Sequence, residues 1–309
     1  RATPFDALEF NPSLRWTDVI AEIAFTMMDL EHHGHAGLAR LFLDAWLERS
    51  GDFDGLALLP FMLVYRALVR AKVAALGAAT AADPAQREPL LGTLRDSLAL
   101  AERFAAPRPR ALAITCGVSG SGKSRLALQL VQAGSWVRIR SDVERKRQAG
   151  LEAAQRAGAA PREGLYAAQR TEDTYARLAR LAHTVLDAGF PALVDATFLA
   201  RRHRSRFREL AAGCGAGFCI LAVDAPEPLL RERVQQRMLA AADPSDADVA
   251  VLEAQLRSRE PLDDAERALA IAVDTAQPLD AAAIDRRLLE RCAAGQARPA
   301  RSEDPPGPA

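Results

Sequence analysis

The sequence predicts an α/β protein: a doubly wound, mostly parallel sheet of about five strands preceded by an all-α domain. Three observations predict it. Residues 1–105 carry apolar residues at helical spacings of three and four. A proline-rich break follows at Ala105-Ala106-Pro107-Arg108-Pro109-Arg110. Beyond the break, short apolar runs alternate with amphipathic stretches, as strands and helices do.

In the first domain, helical spacing runs over Trp16–Leu30, Ala36–Arg49, Gly55–Gly77 and Ala85–Phe104. Gly34, Gly51 and the Ala-rich piece Gly77–Asp83 separate them, and Pro60 points to a later start for the third. The Pro-Arg-Pro break cannot continue a helix and reads as an extended linker, so the domain boundary is set at 105/106. The second domain, 106–296, has strand candidates Ala111–Cys116, Trp136–Arg140, Pro191–Asp195, Phe218–Val223 and Ala268–Val273. Helical stretches between them are Lys123–Ala133, Val143–Gln155, Ala167–Ala188, Arg201–Ala212, two within Pro226–Ser258, and Asp280–Ala293. Residues 297–309 are rich in Pro, Gly and charge and are expected to be disordered.

Composition narrows the class of protein. The 309 residues are 49% hydrophobic and 26% charged, as in soluble globular proteins. Forty basic residues balance forty acidic ones, so net charge offers no argument for nucleic acid. No apolar run reaches the ~18 residues of a membrane span. The chain begins with Arg1 rather than Met, as a processed product or a fragment would, and shows no secretory leader. Cys116, Cys214, Cys219 and Cys292 lack metal-type spacing and read as reduced, buried thiols of a cytoplasmic protein. His32, His33 and His35 read as helix-end or turn residues, and His183 as a packed or exposed helical one.

The most informative segment is Gly117-Val118-Ser119-Gly120-Ser121-Gly122-Lys123-Ser124, a full G-x-x-x-x-G-K-[ST] phosphate loop between an apolar strand and a helix. Its glycines let backbone N–H groups curl around phosphate oxygens, and the helix N-terminus adds its dipole. Lys123 is expected to pair with the β- and γ-phosphates of ATP and Ser124 to hold Mg2+. The chain has only three lysines, Lys72, Lys123 and Lys146, and one of them stands at this position.

Ligands of open α/β sheets bind at the carboxyl ends of strands, where three polar clusters fall. After the second strand come Asp142 and Arg145, three apart on a helix's first turn. Asp142 suits a general base for an acceptor hydroxyl and Arg145 a holder of the acceptor; an Asp there also caps helices. After the third strand, Asp195-Ala196-Thr197 has the Walker B placement for Mg2+, and Asp is also a common turn former. Arg231, Arg233 and Arg237 follow Asp224-Ala225-Pro226-Glu227. Arg233 and Arg237 share a face and suit a clamp on the transferred phosphoryl group, or a solvated face paired with Glu227 and Glu232. Asp243–Asp248 is turn-rich, starts another helix, and would suit a lid. The basic run Arg201–Arg208 spreads over two helix faces and reads as solvated surface, with a polyanionic acceptor as the other reading.

With those residues quoted, 110–295 resembles the small P-loop kinases of the gluconate kinase, zeta toxin and polynucleotide kinase group. It is most similar to the AAA-type ATP-binding module that follows an aminoglycoside-phosphotransferase-like domain in bacterial fusion proteins. The matching pieces are GVSGSGKS (117–124), SDVERKR (141–147), VDATFL (194–199) and APEPLLRERVQQR (225–237). The resemblance implies strand order 2-3-1-4-5, Asp142 as base, Arg145 as acceptor-binding, and Arg233 and Arg237 as lid arginines. Residues 5–11 and 15–19 resemble the metal-binding segment of the aminoglycoside phosphotransferases, with Asp6 as the implied ligand. That family's nucleotide lobe and H-G-D loop are absent from this sequence, so this half is expected to be a truncated scaffold. The resulting expectation is an ATP- and Mg2+-dependent phosphotransferase acting on a small-molecule hydroxyl. The alternatives are a polynucleotide 5′-hydroxyl kinase using 201–208 and a non-catalytic, regulatory ATP-binding module.

Overall fold

A computed structural model describes residues 16–151, 168–240 and 247–296. Contacts divide the chain into two compact units, one of 1–47 with 52–107 and the other of 48–51 with 108–309. Asp6, the segment 243–246, residues 152–155 of one expected helix and the tail from 297 lie outside the described residues.

The first unit is helical: α1 (Val19–His32), α2 (Ala36–Ser50), α3 (Leu59–Thr80) and α4 (Pro84–Ala105). Three of the four starts have a local cause. The Asp18 carboxylate accepts the Ile20 N–H at 2.8 Å, and Asp83 accepts that of Ala85 at 2.9 Å, which satisfies donors the helix leaves orphaned. Pro60 and Pro84 fall in the first turn, where a missing N–H costs nothing. The third helix therefore starts at Leu59 rather than Gly55; a short 3-10 turn, Asp54–Ala57, precedes it. Helices α1, α3 and α4 pack through Met28, Leu59, Leu63, Ala67, Leu100 and Phe104, all buried. Each large side chain so buried contributes about 1.5–3 kcal/mol.

The second unit is a five-stranded parallel sheet in the order β2-β3-β1-β4-β5. The strands are β1 (Ala111–Cys116), β2 (Val137–Arg140), β3 (Ala192–Asp195), β4 (Gly217–Asp224) and β5 (Ala270–Asp274). Helices α5 (Lys123–Ala133), α6 (Ser141–Gln148), α7 (Ala168–Asp187), α8 (Arg201–Gly213), α9 (Glu227–Ala240), α10 (Val249–Ser258), α11 (Asp264–Ala268) and α12 (Ala281–Gln296) connect and cover them. β1 sits at the centre, Ile114 opposite Val194 on one side and Ile220 on the other. Both faces of the sheet are covered, so β1 and β3 read as continuous apolar runs.

Three expectations need correction. The fifth strand begins at Ala270, because a capping box between Asp263 and Glu266 draws Asp264–Ala268 into a helix. Trp136 precedes β2, its indole N–H donating to Asp285 at 2.6 Å. The arginine run of α8 is not all surface. Arg204 is buried, bonded to both Glu266 oxygens at 2.7 and 2.9 Å and to the Phe198 and Leu199 carbonyls at 3.0 Å. His203 is buried beside it, stacked on Tyr175 with ring centroids 3.7 Å apart. Only a nonlocal carboxylate makes a buried guanidinium tolerable, and Glu266 stands 62 residues away.

Candidate active site

The chain crosses from β1 into α5 through the loop Gly117–Gly122, and the carboxyl ends of β1, β2 and β3 open onto one cavity of about 580 Å³. Gly120 and Gly122 are left-handed, with φ of 82° and 88°. At Gly120 a side chain would also meet the Leu230 carbonyl of α9, so glycine is required twice over. The loop is then pinned from outside. The Gln255 side chain of α10 accepts the Ser119 N–H at 2.7 Å, and the Thr275 hydroxyl donates to the Ser121 carbonyl at 2.8 Å.

Lys123 opens α5 and is buried. Its ammonium donates to the Val118 carbonyl at 2.6 Å and the Ser121 hydroxyl at 3.3 Å. Burial pushes it down to about 8, while the charges of Asp195 and Asp142 oppose the shift. An ammonium under that strain gains from an anion placed beside it.

Ser119, Gly120, Gly122, Lys123 and Ser124 line the cavity together with Asp142, Arg145, Asp195, Arg233 and Arg237. The remaining loop positions serve the loop itself. Val118 packs with Leu230, Val234 and Leu252, Ser121 is buried against Lys123, and a side chain at Gly117 would collide with the Val223 carbonyl.

Asp142 lies inside the first turn of α6. The cap position is Arg140, which forms no side-chain cap bond. Arg145 donates to the Asp142 carboxylate at 2.8 Å. Asp195 ends β3, buried, with Arg140 Nε 3.7 Å and Arg138 4.0 Å from its Oδ2. Neither is a hydrogen bond, and Oδ2 has no hydrogen-bond partner. A buried carboxylate oxygen that accepts no hydrogen bond, in the cavity that Ser124 also lines, fits a hard divalent cation such as Mg2+. Arg237 presents the complementary orphan: one guanidinium nitrogen donates to the Ala247 carbonyl at 2.9 Å, and its buried Nε has no acceptor. Arg233 is engaged, donating to Thr275 Oγ1 at 2.7 Å, to the Thr275 carbonyl at 2.8 Å and to the Gly120 carbonyl at 3.3 Å. Arg231 pairs with Glu227 and Glu253, off the cavity.

Sequence reasoning missed Thr275, Gln255 and Tyr175. Tyr175 of α7 lines the cavity, accepts the Phe198 N–H at 3.0 Å and lies 3.4 Å from the Thr197 hydroxyl. Burial raises its phenol above the ordinary value, and those two bonds oppose the shift. Phe198, at φ 45°, is the one non-glycine residue with positive φ among the described residues. The bonds from Tyr175 and Arg204 hold that turn, directly after Asp195-Ala196-Thr197, in its unfavourable conformation. Thr275 shows one faint signal in sequence: it directly follows the last strand.

Sheet order, loop and cavity together define a doubly wound P-loop fold with a phosphate-binding loop of the nucleotide-binding kind. Residues 112–262 match the sequence family described as an AAA domain. Uncharacterized proteins of Mycobacterium tuberculosis and Mycobacterium bovis are 30% identical to this chain over 256 residues, or 81% of it. The alignment spans 49% of each, so the chain covers about half the length of the curated relatives it matches. Among solved structures, the chain is similar to a putative kinase from Chloroflexus aurantiacus (21% identity, TM-score 0.47, 61% of this chain and 98% of that one). It is also similar to a gluconokinase from Sinorhizobium meliloti (23%, TM-score 0.38, 62% and 93%). The fold assignment rests on the sheet order and the loop rather than on these two likenesses. No described helix is long and apolar enough to cross a membrane.

Proposed function

We propose that the second unit transfers the γ-phosphoryl group of ATP to a hydroxyl of a small acceptor. The observation that carries this reading is a pair of opposite unsatisfied groups in one cavity: Asp195 Oδ2 accepts no hydrogen bond, and Arg237 Nε has no acceptor. A metal–triphosphate answers both and also supplies the anion that buried Lys123 favours.

In this reading the loop N–H groups and Lys123 hold the β- and γ-phosphates, and Ser124 and Asp195 hold Mg2+. Bound there, the metal offsets the charge of the phosphate oxygens. Asp142, oriented by Arg145, accepts the acceptor's hydroxyl proton while the acceptor oxygen bonds to γ-phosphorus. The bond from that phosphorus to the β-bridging oxygen breaks, and ADP leaves. Arg237 neutralises charge on the moving group. Arg233 keeps the loop in shape through Gly120 and Thr275. A polynucleotide acceptor is less well supported, because 201–208 offers no continuous basic face: Arg204 is buried, and Arg201 and Arg202 pair with Asp263 and Glu172.

The test is a phosphoryl-transfer screen with radiolabelled ATP and Mg2+ against sugars, nucleosides, antibiotics and 5′-hydroxyl oligonucleotides. Label on a small alcohol, lost in Lys123→Ala, supports the reading. ATP binding with no acceptor labelled would favour a regulatory module and overturn it.

A further inference from the structure

We propose that His183, Asp187 and Cys214 form a second metal site, of the zinc type, at the opposite pole of the second unit from the nucleotide cavity. One ligand atom from each residue lies within 4.8 Å of the other two.

The placement follows from the topology. α7 and α8 run back toward the amino ends of β3 and β4, so their last turns meet beneath the sheet, away from the phosphate loop. His183 and Asp187 are four apart on the last turns of α7 and so share a face, with His183 Nδ1 2.9 Å from Asp187 Oδ2. Cys214 is the cap residue that ends α8, its N–H bonded to the Leu210 and Ala211 carbonyls at 3.0 and 3.2 Å. Both chain reversals use a left-handed glycine, Gly189 after α7 and Gly215 after α8, so the backbone presents the three side chains from fixed positions.

The donor set selects the metal. The nucleotide cavity offers oxygen donors at Ser124 and Asp195, which suit magnesium. The second cluster offers one sulfur, one imidazole nitrogen and one carboxylate oxygen, a softer set that suits Zn2+. In a tetrahedral zinc site the ligand atoms stand roughly 3.3–3.8 Å apart, given bonds of about 2.0–2.3 Å. Closing from 4.8 Å needs a rotamer adjustment of the order of 1 Å. His183 and Asp187 have that freedom, their side chains being 55% and 58% exposed. Three protein ligands leave a fourth position for water. Spacing along the chain conceals the site, because Cys214 lies on a different helix from the other two ligands and the other cysteines lie elsewhere.

The experiment uses the full chain, freed of metal with a chelator and titrated with Co2+ and then Zn2+. One equivalent of Co2+ should give a thiolate-to-cobalt charge-transfer band, which Zn2+ displaces. Cys214→Ser should abolish the band, Cys116→Ser should keep it, and His183→Ala or Asp187→Asn should each weaken Zn2+ by about 10-fold or more. Absence of a band at one equivalent overturns the proposal, as does a band that survives Cys214→Ser. The readout involves neither ATP nor phosphoryl transfer, so it stands or falls apart from the kinase reading.

Discussion

The Thr275 hydroxyl donates to the Ser121 carbonyl at 2.8 Å, joining the end of β5 to the middle of the phosphate loop. The same oxygen accepts from Arg233 at 2.7 Å. One hydroxyl thus ties together the loop, the last strand and α9. Thr275→Val keeps the shape and removes the tie, leaving a buried carbonyl and a guanidinium short of a partner. A loss of about 1–3 kcal/mol is expected. It should appear as weaker ATP binding by calorimetry with little change in the fold's far-ultraviolet signal; unaltered affinity would remove Thr275 from the site.

Lys123 supplies a pH dependence whose sign is fixed. Burial holds the ammonium at about 8, and triphosphate raises it by supplying counter-charge. Binding therefore takes up a proton once the free protein has lost one. ATP affinity should be level below pH 8 and decline above it, by up to roughly tenfold per pH unit. Lys123→Ala should bind weakly with no such decline. A steep decline persisting in that variant would place the titration on another group.

Asp142→Asn separates chemistry from binding. If Asp142 takes the acceptor's proton, ATP affinity should be kept and transfer should fall by about 10²–10⁴-fold. Arg145→Gln should instead raise the acceptor KM more than it lowers kcat. Equal transfer by wild type and Asp142→Asn would leave the carboxylate a structural partner of Arg145.

Arg204 and Glu266 predict an acid-sensitive core. Burial opposes ionisation of Glu266, but the Arg204 hydrogen bonds and the Asp263 N–H outweigh it and hold the carboxyl below its ordinary range. A depressed carboxyl stabilises the fold above the unfolded value of about 4.3. That stability is lost as pH falls through the lower folded value. Urea midpoints measured from pH 7 down to 3 should drop below about pH 4.3, and Glu266→Gln should flatten that part of the drop. Arg204→Ala, which strands Glu266, should cost about 3–5 kcal/mol at pH 7.

What could be read from the sequence was what is contiguous in it. The phosphate loop is eight successive residues, and Asp142 and Asp195 stand at or just past strand ends, so their placement around one cavity was legible. The order 2-3-1-4-5 was legible only by resemblance, because alternation fixes parallel strands but not their neighbours. Thr275 and Tyr175 were hidden, since a threonine after a strand and a tyrosine in a helix have no unusual spacing. Arg204 was misread because its partner Glu266 is remote in sequence, and periodicity around Arg201–Arg208 sees only the charges. The start of β5 moved for a similar reason: the Asp263–Glu266 capping box took hold of residues that hydropathy alone assigns to the strand.

β1 has a hydrogen-bonded neighbour along both edges, and the loop springs directly from its end. Fraying at β2 or β5, the outer margins, leaves that root untouched. Amide protons of Ala113 and Ile114 should accordingly exchange among the slowest in the second unit, through whole-unit opening rather than local breathing. Whatever occupies the loop then stabilises the entire unit, by an amount that grows with its concentration relative to its dissociation constant.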